Sequence, residues 1–403
     1  MKLDFFRGES GAYFSIIGMT ALSFSFIIPV MTLFLVQELN IEPGYIGLYT
    51  VGTALATMVF SQVQGSLCDR GIDSKKLFMF AALAMALGGF SFSVLTEFWQ
   101  ALLVGIFFMS FGGSAISLLF AMIRRYAERS RKDSTRISSQ MRAAMSLLWV
   151  VGPALAFASM DHLGARANFV MAGVIGCIVF VYAGIKLKPD IKPVVSDTTD
   201  DGVEKKSLKM PKAVWFLGAG IFFASLANAV YLNAMPLFMT KELDMPLSFP
   251  GLLIGMTAGL EIPVMLLAAR WAHHFGKVRM MRWSFVFGLF FYIGMKVCDS
   301  YWGFVLLQLS NGLFFGTFAG LGVTVLQDYA TKIVGKVSAF YTNCMSIGNM
   351  CGTSLLGLVA QYFGFRSTLY VSMIAITISF IIFYLFEIRT RRAESANFSV
   401  EAG

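Results

Sequence analysis

One pattern constrains this chain before any other: apolar runs of ~18 or more residues, each long enough to cross the ~30 Å hydrocarbon layer of a bilayer as a helix. Twelve such spans can be read, at about 11–36, 44–66, 77–96, 99–123, 141–160, 167–186, 213–236, 250–269, 281–298, 301–326, 338–360 and 367–387. Inside hydrocarbon the backbone must satisfy its own polar groups, so runs of this length are expected as helices. Composition agrees: 57% of residues are hydrophobic and 14% charged, with 40 Phe and 24 Met. A soluble domain is usually about 45–50% apolar and about 25% charged. So large an apolar excess cannot all be core, and the expected class is an all-α, polytopic membrane protein.

The net charge of +9 would suggest a nucleic-acid partner in a soluble domain. Its distribution excludes that reading. With a cytoplasmic N-terminus, all of the 32 lysines and arginines except Arg166, Lys241, Lys296 and Arg366 fall on the inner side. The positive-inside rule then orients both termini to the cytoplasm. Residues 1–10 have the charge of a signal-peptide n-region, but the apolar run behind them is too long and lacks an A-x-A site, so it reads as an uncleaved first span. The five cysteines are scattered and form no C-x-x-C, so neither a disulfide framework nor a metal site is expected.

The chain is written twice. Residues 188–212 hold three prolines and mixed charge, as a cytoplasmic linker would. They separate an N-terminal six-helix bundle (1–187) from a C-terminal one (213–390), which a cytoplasmic tail (391–403) follows. MTLFLVQELNIEPGYIGLYTVGTA (31–54) aligns without gaps on MPLFMTKELDMPLSFPGLLIGMTA (235–258) at an offset of 204, with nine identities that include Glu38/Glu242, Gly47/Gly251 and Thr53/Thr257. At an offset of 200, Gly152 meets Gly352 and Gly164-x-Arg166 meets Gly364-x-Arg366. Two parallel six-helix repeats with a site near the midplane is a transporter architecture.

The loop GSLCDRGIDSKKL (65–77) resembles the G-x-L-x-D-R-x-G-R-K signature of the major facilitator superfamily, allowing one shifted glycine, Gly71. The second-half loop keeps Gly276 and Lys277 but has His273 where Asp69 would stand. Further blocks are similar to the bacterial sugar efflux transporters of that superfamily: SSQMRAAMSLLWVVGPALAF (138–157), GMTAGLEIPVMLLA (255–268), GKVRMM (276–281) and the glycine-rich stretch Gln308–Gly322. The resemblance implies the major facilitator fold in a bacterial inner membrane. It also implies export of sugars or glycosides, in exchange for protons, by a monomer that needs no cofactor. Drug/proton antiporters of the superfamily usually carry an arginine in span four where this chain has Phe108, and of their span-five glycine pattern only Gly152-Pro153 remains.

Several residues are candidates for the work. Glu261 sits near the centre of span eight, where an acidic residue costs about 2.5–3.5 kcal/mol on insertion scales and usually faces a cavity or partner. A carboxyl group that takes up and releases a proton suits proton coupling; a structural carboxyl bonded to a neighbouring helix is the competing role. Pro263 follows two residues later and removes a backbone donor. Gln308 and Asn311 on span ten, and Asn228 and Tyr231 on span seven, are each three apart and so share a helical face. They would supply paired donors and acceptors for sugar hydroxyls, or hold helices together as interhelical hydrogen bonds. Trp149 offers a ring for stacking on a pyranose, with filling the bundle interior as its alternative. Arg142 shares its stripe about 14 Å from the span centre at ~1.5 Å rise per residue, as a gate or as an ordinary charge at the membrane edge. Asp69 and Arg70, at a cytoplasmic helix end, suit gating. Gly312, Gly316 and Gly320 mark close helix packing and not a phosphate loop.

The sequence contains no G-x-x-x-x-G-K-[ST], H-E-x-x-H or G-x-S-x-G, so neither an ATP-driven pump nor an enzyme is expected. Two alternatives to a proton-coupled sugar exporter stand beside it. One is a multidrug or amphipathic-solute antiporter, against which Phe108 and the polar face of span ten argue. The other is a non-transporting sensor or scaffold, which would be expected to carry an appended soluble domain.

Overall fold

In the computed structural model, which describes residues 8–130, 134–189 and 210–401, every regular element among those residues is helical. The twelve spans appear, with their ends set by local chemistry. Span one is two helices, Gly8–Ser25 and Met31–Gln37, because Pro29 between them lacks the N–H that a continuous helix needs. Gly44–Asp69 is span two and Ser74–Phe92 span three. Asp73 caps the latter, its carboxylate accepting from the Lys75 N–H at 2.9 Å. Span four runs from Phe98 to Arg129 and contains a π turn at Gly105–Met109. Spans five and six form one stretch, Ser134–Lys186, turned at Gly164.

Span seven is Lys212–Leu237 extended by a π turn, Phe238–Glu242. Spans eight to eleven are Ser248–Phe275, Lys277–Val297, Tyr301–Asp328 and Val334–Phe363. The last helix, Leu369–Glu401, continues past the expected span end at 387. Among the described residues, eight helical stretches are long and apolar enough to cross a membrane, five and six counting as one. The remainder are less apolar for evident reasons. Span one is broken, span nine carries Lys277, Arg279, Arg282 and Lys296, and span eleven carries Lys336, Asn343 and Asn349.

The chain divides into two units, one of Met1–Asp200 with Met245–Gly255, the other of Asp201–Asp244 with Met256–Gly403. Most of the expected linker, residues 190–209, lies outside the described residues. In the first unit, span one packs on the five–six stretch, which also packs on span three. In the second, span seven packs on eleven and twelve, and span nine on ten and twelve. One crossing is bonded in both units with donor and acceptor exchanged. Ser23 Oγ donates to the Ala172 carbonyl at 2.9 Å, and Ser372 Oγ donates to the Ala227 carbonyl at 2.9 Å. Ala227 is the counterpart of Ser23 at the 204 offset, and Ser372 that of Ala172 at the 200 offset.

The backbone repeats as well. Among the described residues, every positive φ falls in a repeat-related pair: Asn40 at 50° with Asp244 at 51°, Gly71 at 83° with Gly276 at 81°, and Gly164 at 84° with Gly364 at 81°. Asn and Asp are the non-glycine residues that tolerate this region best. The displaced glycine of the 65–77 loop thus has a conformational reason, since Gly71 makes the turn that Gly276 makes in the second half. Gly152 packs against Ser25 of span one, as Gly352 packs against Leu226 and Ala229 of span seven.

Candidate functional site

In the second unit, three spans bring hydrogen-bonding side chains into an otherwise apolar interior. Gln308 and Asn311, three residues apart on span ten, are buried, as is Thr257 of span eight. Thr257 Oγ1 donates to Gln308 Oε1 at 2.6 Å. The Asn311 amide donates to the same oxygen at 3.2 Å and to Thr257 Oγ1 at 3.3 Å. Gln308 Nε2 donates to the Phe304 carbonyl at 3.1 Å, one turn back on its own helix. Tyr231 of span seven is buried with its ring edge-on to Phe291 at 4.8 Å, and its hydroxyl is directed to Gln308 without closing a hydrogen bond of ordinary geometry.

Three buried atoms in this neighbourhood, Asn311 Oδ1, Tyr231 Oη and Tyr292 Oη, have no hydrogen-bond partner among the described residues. Buried polar atoms are nearly always satisfied, so each such atom calls for an explanation. A carbonyl-type acceptor and two phenolic hydroxyls, with aromatic edges around them, are thus left with unspent hydrogen-bonding capacity.

Glu261 lies one turn beyond Thr257, on the same face of span eight. It is half-buried, and among the described residues its carboxyl group meets neither a hydrogen-bond donor nor a cation. The glycines of span ten bring the two helices close. A Cβ on Gly312 would stand 2.7 Å from Leu260 Cβ, one on Gly316 2.8 Å from Val264 Cβ and 3.0 Å from the Glu261 carbonyl oxygen. One on Gly320 would stand 3.0 Å from Met265 Cγ. The glycine stripe is therefore a packing surface, seated on the helix that carries Glu261.

Of the residues singled out from the sequence, Tyr231, Gln308 and Asn311 come together here. Asn228 is half-buried, one turn earlier on span seven. Trp149 is half-buried in the first unit, and Arg70 is exposed at the end of span two. The side chains of Asp69 and Arg142 lie outside the described residues. Sequence reasoning passed over Thr257 and Tyr292 as site residues. The signal for Thr257 was its identity with Thr53 in the repeat.

Replacing Thr257 with Val removes a donor to Gln308 and is expected to lower stability by about 0.6 kcal/mol, the average for interhelical bonds in membranes, and at most about 1.7 kcal/mol. Unfolding by sodium dodecyl sulfate from mixed micelles reads this directly, and Thr257→Ser should restore the parental midpoint.

The profile of the Major Facilitator Superfamily matches the chain twice, at residues 13–219 and 217–402. The sugar efflux transporter A of Dickeya chrysanthemi is 32% identical over 361 residues, 89% of this chain and 90% of that protein. The sugar efflux transporter B of Salmonella typhimurium is 29% identical over 369 residues, 91% and 93% of the two chains. Among solved structures, the nucleoside transporter NupG superposes with a TM-score of 0.77 at 14% identity, covering 95% of this chain and 99% of that one, a likeness of fold alone.

Proposed function

Since the chain belongs to the Major Facilitator Superfamily, and within it to the sugar efflux transporter family, we propose that it exports sugars or glycosides from the cytoplasm by alternating access, in exchange for protons. The observation that carries this reading is the buried polar cluster of Thr257, Gln308, Asn311 and Tyr231, whose Thr257 stands one helical turn from Glu261, an acidic residue without a cation beside it. An acid at such a depth without an ion partner is rarely structural. A polar cluster with unspent acceptors and hydroxyls suits a ligand that is itself all hydroxyls.

In this scheme Tyr231, Gln308 and Asn311 of the second unit bind substrate hydroxyls, with Asn228 one turn earlier on span seven as a further donor; Trp149, in the first unit, is a candidate ring for stacking. Glu261 binds the proton that enters as substrate leaves. Asp69, Arg70 and Arg142, at the cytoplasmic side, take part in closing the inner gate. In this scheme the two bundles are residues 1–187 and 213–390, joined by a 188–212 linker, with both termini on the cytoplasmic side of a bacterial inner membrane.

Inverted membrane vesicles test the whole scheme. With an inside-acid gradient they should accumulate labelled glycosides, and a protonophore should abolish the accumulation. No uptake across lactose, glucose and thioglycosides would remove the sugar assignment. Uptake that ignores the gradient would remove the proton.

A further inference from the structure

A groove outside the polar cluster opens on the flank of the second unit, between spans eight, nine and ten. It encloses about 320 Å³ and is lined chiefly by Leu267, Trp271, Phe275, Trp283, Phe287 and Leu313. These are exposed despite their size: Trp271 by 50%, Phe275 by 57% and Trp283 by 54%. On a membrane-spanning helix the medium that meets such side chains is acyl chain. Ser284, one of the few polar side chains in the wall, donates its hydroxyl to the Met281 carbonyl and so offers no donor to a ligand.

The groove is not apolar at both ends. Its inner end is rimmed by the 270–282 segment, which carries Arg270, Lys277, Arg279 and Arg282. The acids packed against this rim are Asp328, paired with Lys277 at 2.7 Å, and Glu387, paired with Arg279 at 3.2 Å and Arg282 at 2.9 Å. His273 and His274 are exposed on the same segment. Four permanent cations face two carboxylates, so the rim keeps a positive excess. Arg279 lines the groove itself; its side chain is 43% exposed and only its Nε is drawn to Glu387. Two half-exposed tryptophans next to this charge match the aromatic belt found where acyl chains give way to headgroups.

We propose that this groove is a binding site for an anionic phospholipid, one acyl chain lying along Leu267, Phe287 and Leu313 and the phosphate resting on Arg279. The site is separate from the polar cluster and does not depend on what the protein transports.

The test uses the full-length protein in detergent micelles, titrated with phosphatidylglycerol or phosphatidylcholine brominated on the acyl chains, while tryptophan emission is read. Phosphatidylglycerol should quench saturably, and at a mole fraction about fivefold or more below phosphatidylcholine, the preference that one basic residue near a membrane surface provides. Trp271→Phe with Trp283→Phe should remove the saturable part of the quenching. Arg279→Gln should bring phosphatidylglycerol to the level of phosphatidylcholine, while Arg279→Lys, which keeps the charge, should retain the preference. Glycerol 3-phosphate should not compete, and competition by it would replace the lipid site with a simple anion site. Linear quenching with the same profile for both lipids, or full saturable quenching in the double tryptophan variant, would overturn the proposal.

Discussion

Replacing Glu261 with Gln is expected to abolish gradient-driven accumulation in inverted vesicles while leaving exchange of labelled for unlabelled substrate intact. Gln keeps the size and hydrogen-bonding reach of the side chain but cannot release a proton. An exporter that swaps one proton for one solute gains about tenfold accumulation per pH unit, since one unit is worth about 1.36 kcal/mol. Without a titrating group the accumulation ratio should fall to about one at any imposed gradient. Exchange needs only that the loaded carrier reorient, and Gln is neutral in both states, so exchange should persist. The position supports this assignment: Glu261 is half-buried near mid-span, one turn from Thr257, and meets no cation among the described residues. Accumulation equal to the parent at the same pH would make the residue structural and move coupling elsewhere.

The repeat places Thr57 where the second half has Glu261. Thr57 Oγ1 donates to the Thr53 carbonyl at 2.7 Å, so its hydroxyl proton is spent within its own helix.

Much of this architecture was legible because hydrocarbon thickness sets a length that the sequence must meet. The apolar runs gave the spans, and the polar and glycine identities gave the repeat, which the paired positive φ values now explain. The break at Pro29 was not read, because apolar residues continue on both sides and mask the missing donor. Within the site, Gln308 and Asn311 were legible from their spacing, as long amides have little reason to lie in a span unless bonded. Thr257 was not. Threonines in these helices commonly bond the carbonyl one turn back, as Thr50, Thr53 and Thr57 do. Nothing in the sequence says that the Thr257 hydroxyl reaches across to Gln308. That reach follows from how closely span ten approaches, which is a property of its glycines and of the residues they meet.

That closeness makes Gly316 a position where one methyl group should do damage beyond its size. In the second unit a Cβ there would stand 2.8 Å from Val264 Cβ and 3.0 Å from the backbone oxygen of Glu261, atoms fixed by the helix and unable to rotate away. The first unit offers the control, because Thr57 meets Gly113 with more room: a Cβ on Gly113 would stand 3.4 Å from Thr57 Cγ2, ordinary contact. Gly316→Ala should therefore force spans eight and ten apart, at an overpacking cost of about 1–3 kcal/mol. Gly113→Ala should stay within about 0.5 kcal/mol of the parent. The functional loss at Gly316 should be larger than the stability loss. The 2.6 Å bond from Thr257 to Gln308 spans the same crossing and has no slack. Separating the helices would pull Glu261 away from the cluster it is proposed to serve, and uptake should fall by an order of magnitude or more while the protein still inserts. Micellar unfolding and vesicle uptake measured on both variants decide the matter. A Gly316→Ala protein with the parental midpoint and parental uptake would mean that the two helices part freely, and that the polar cluster does not rely on their contact.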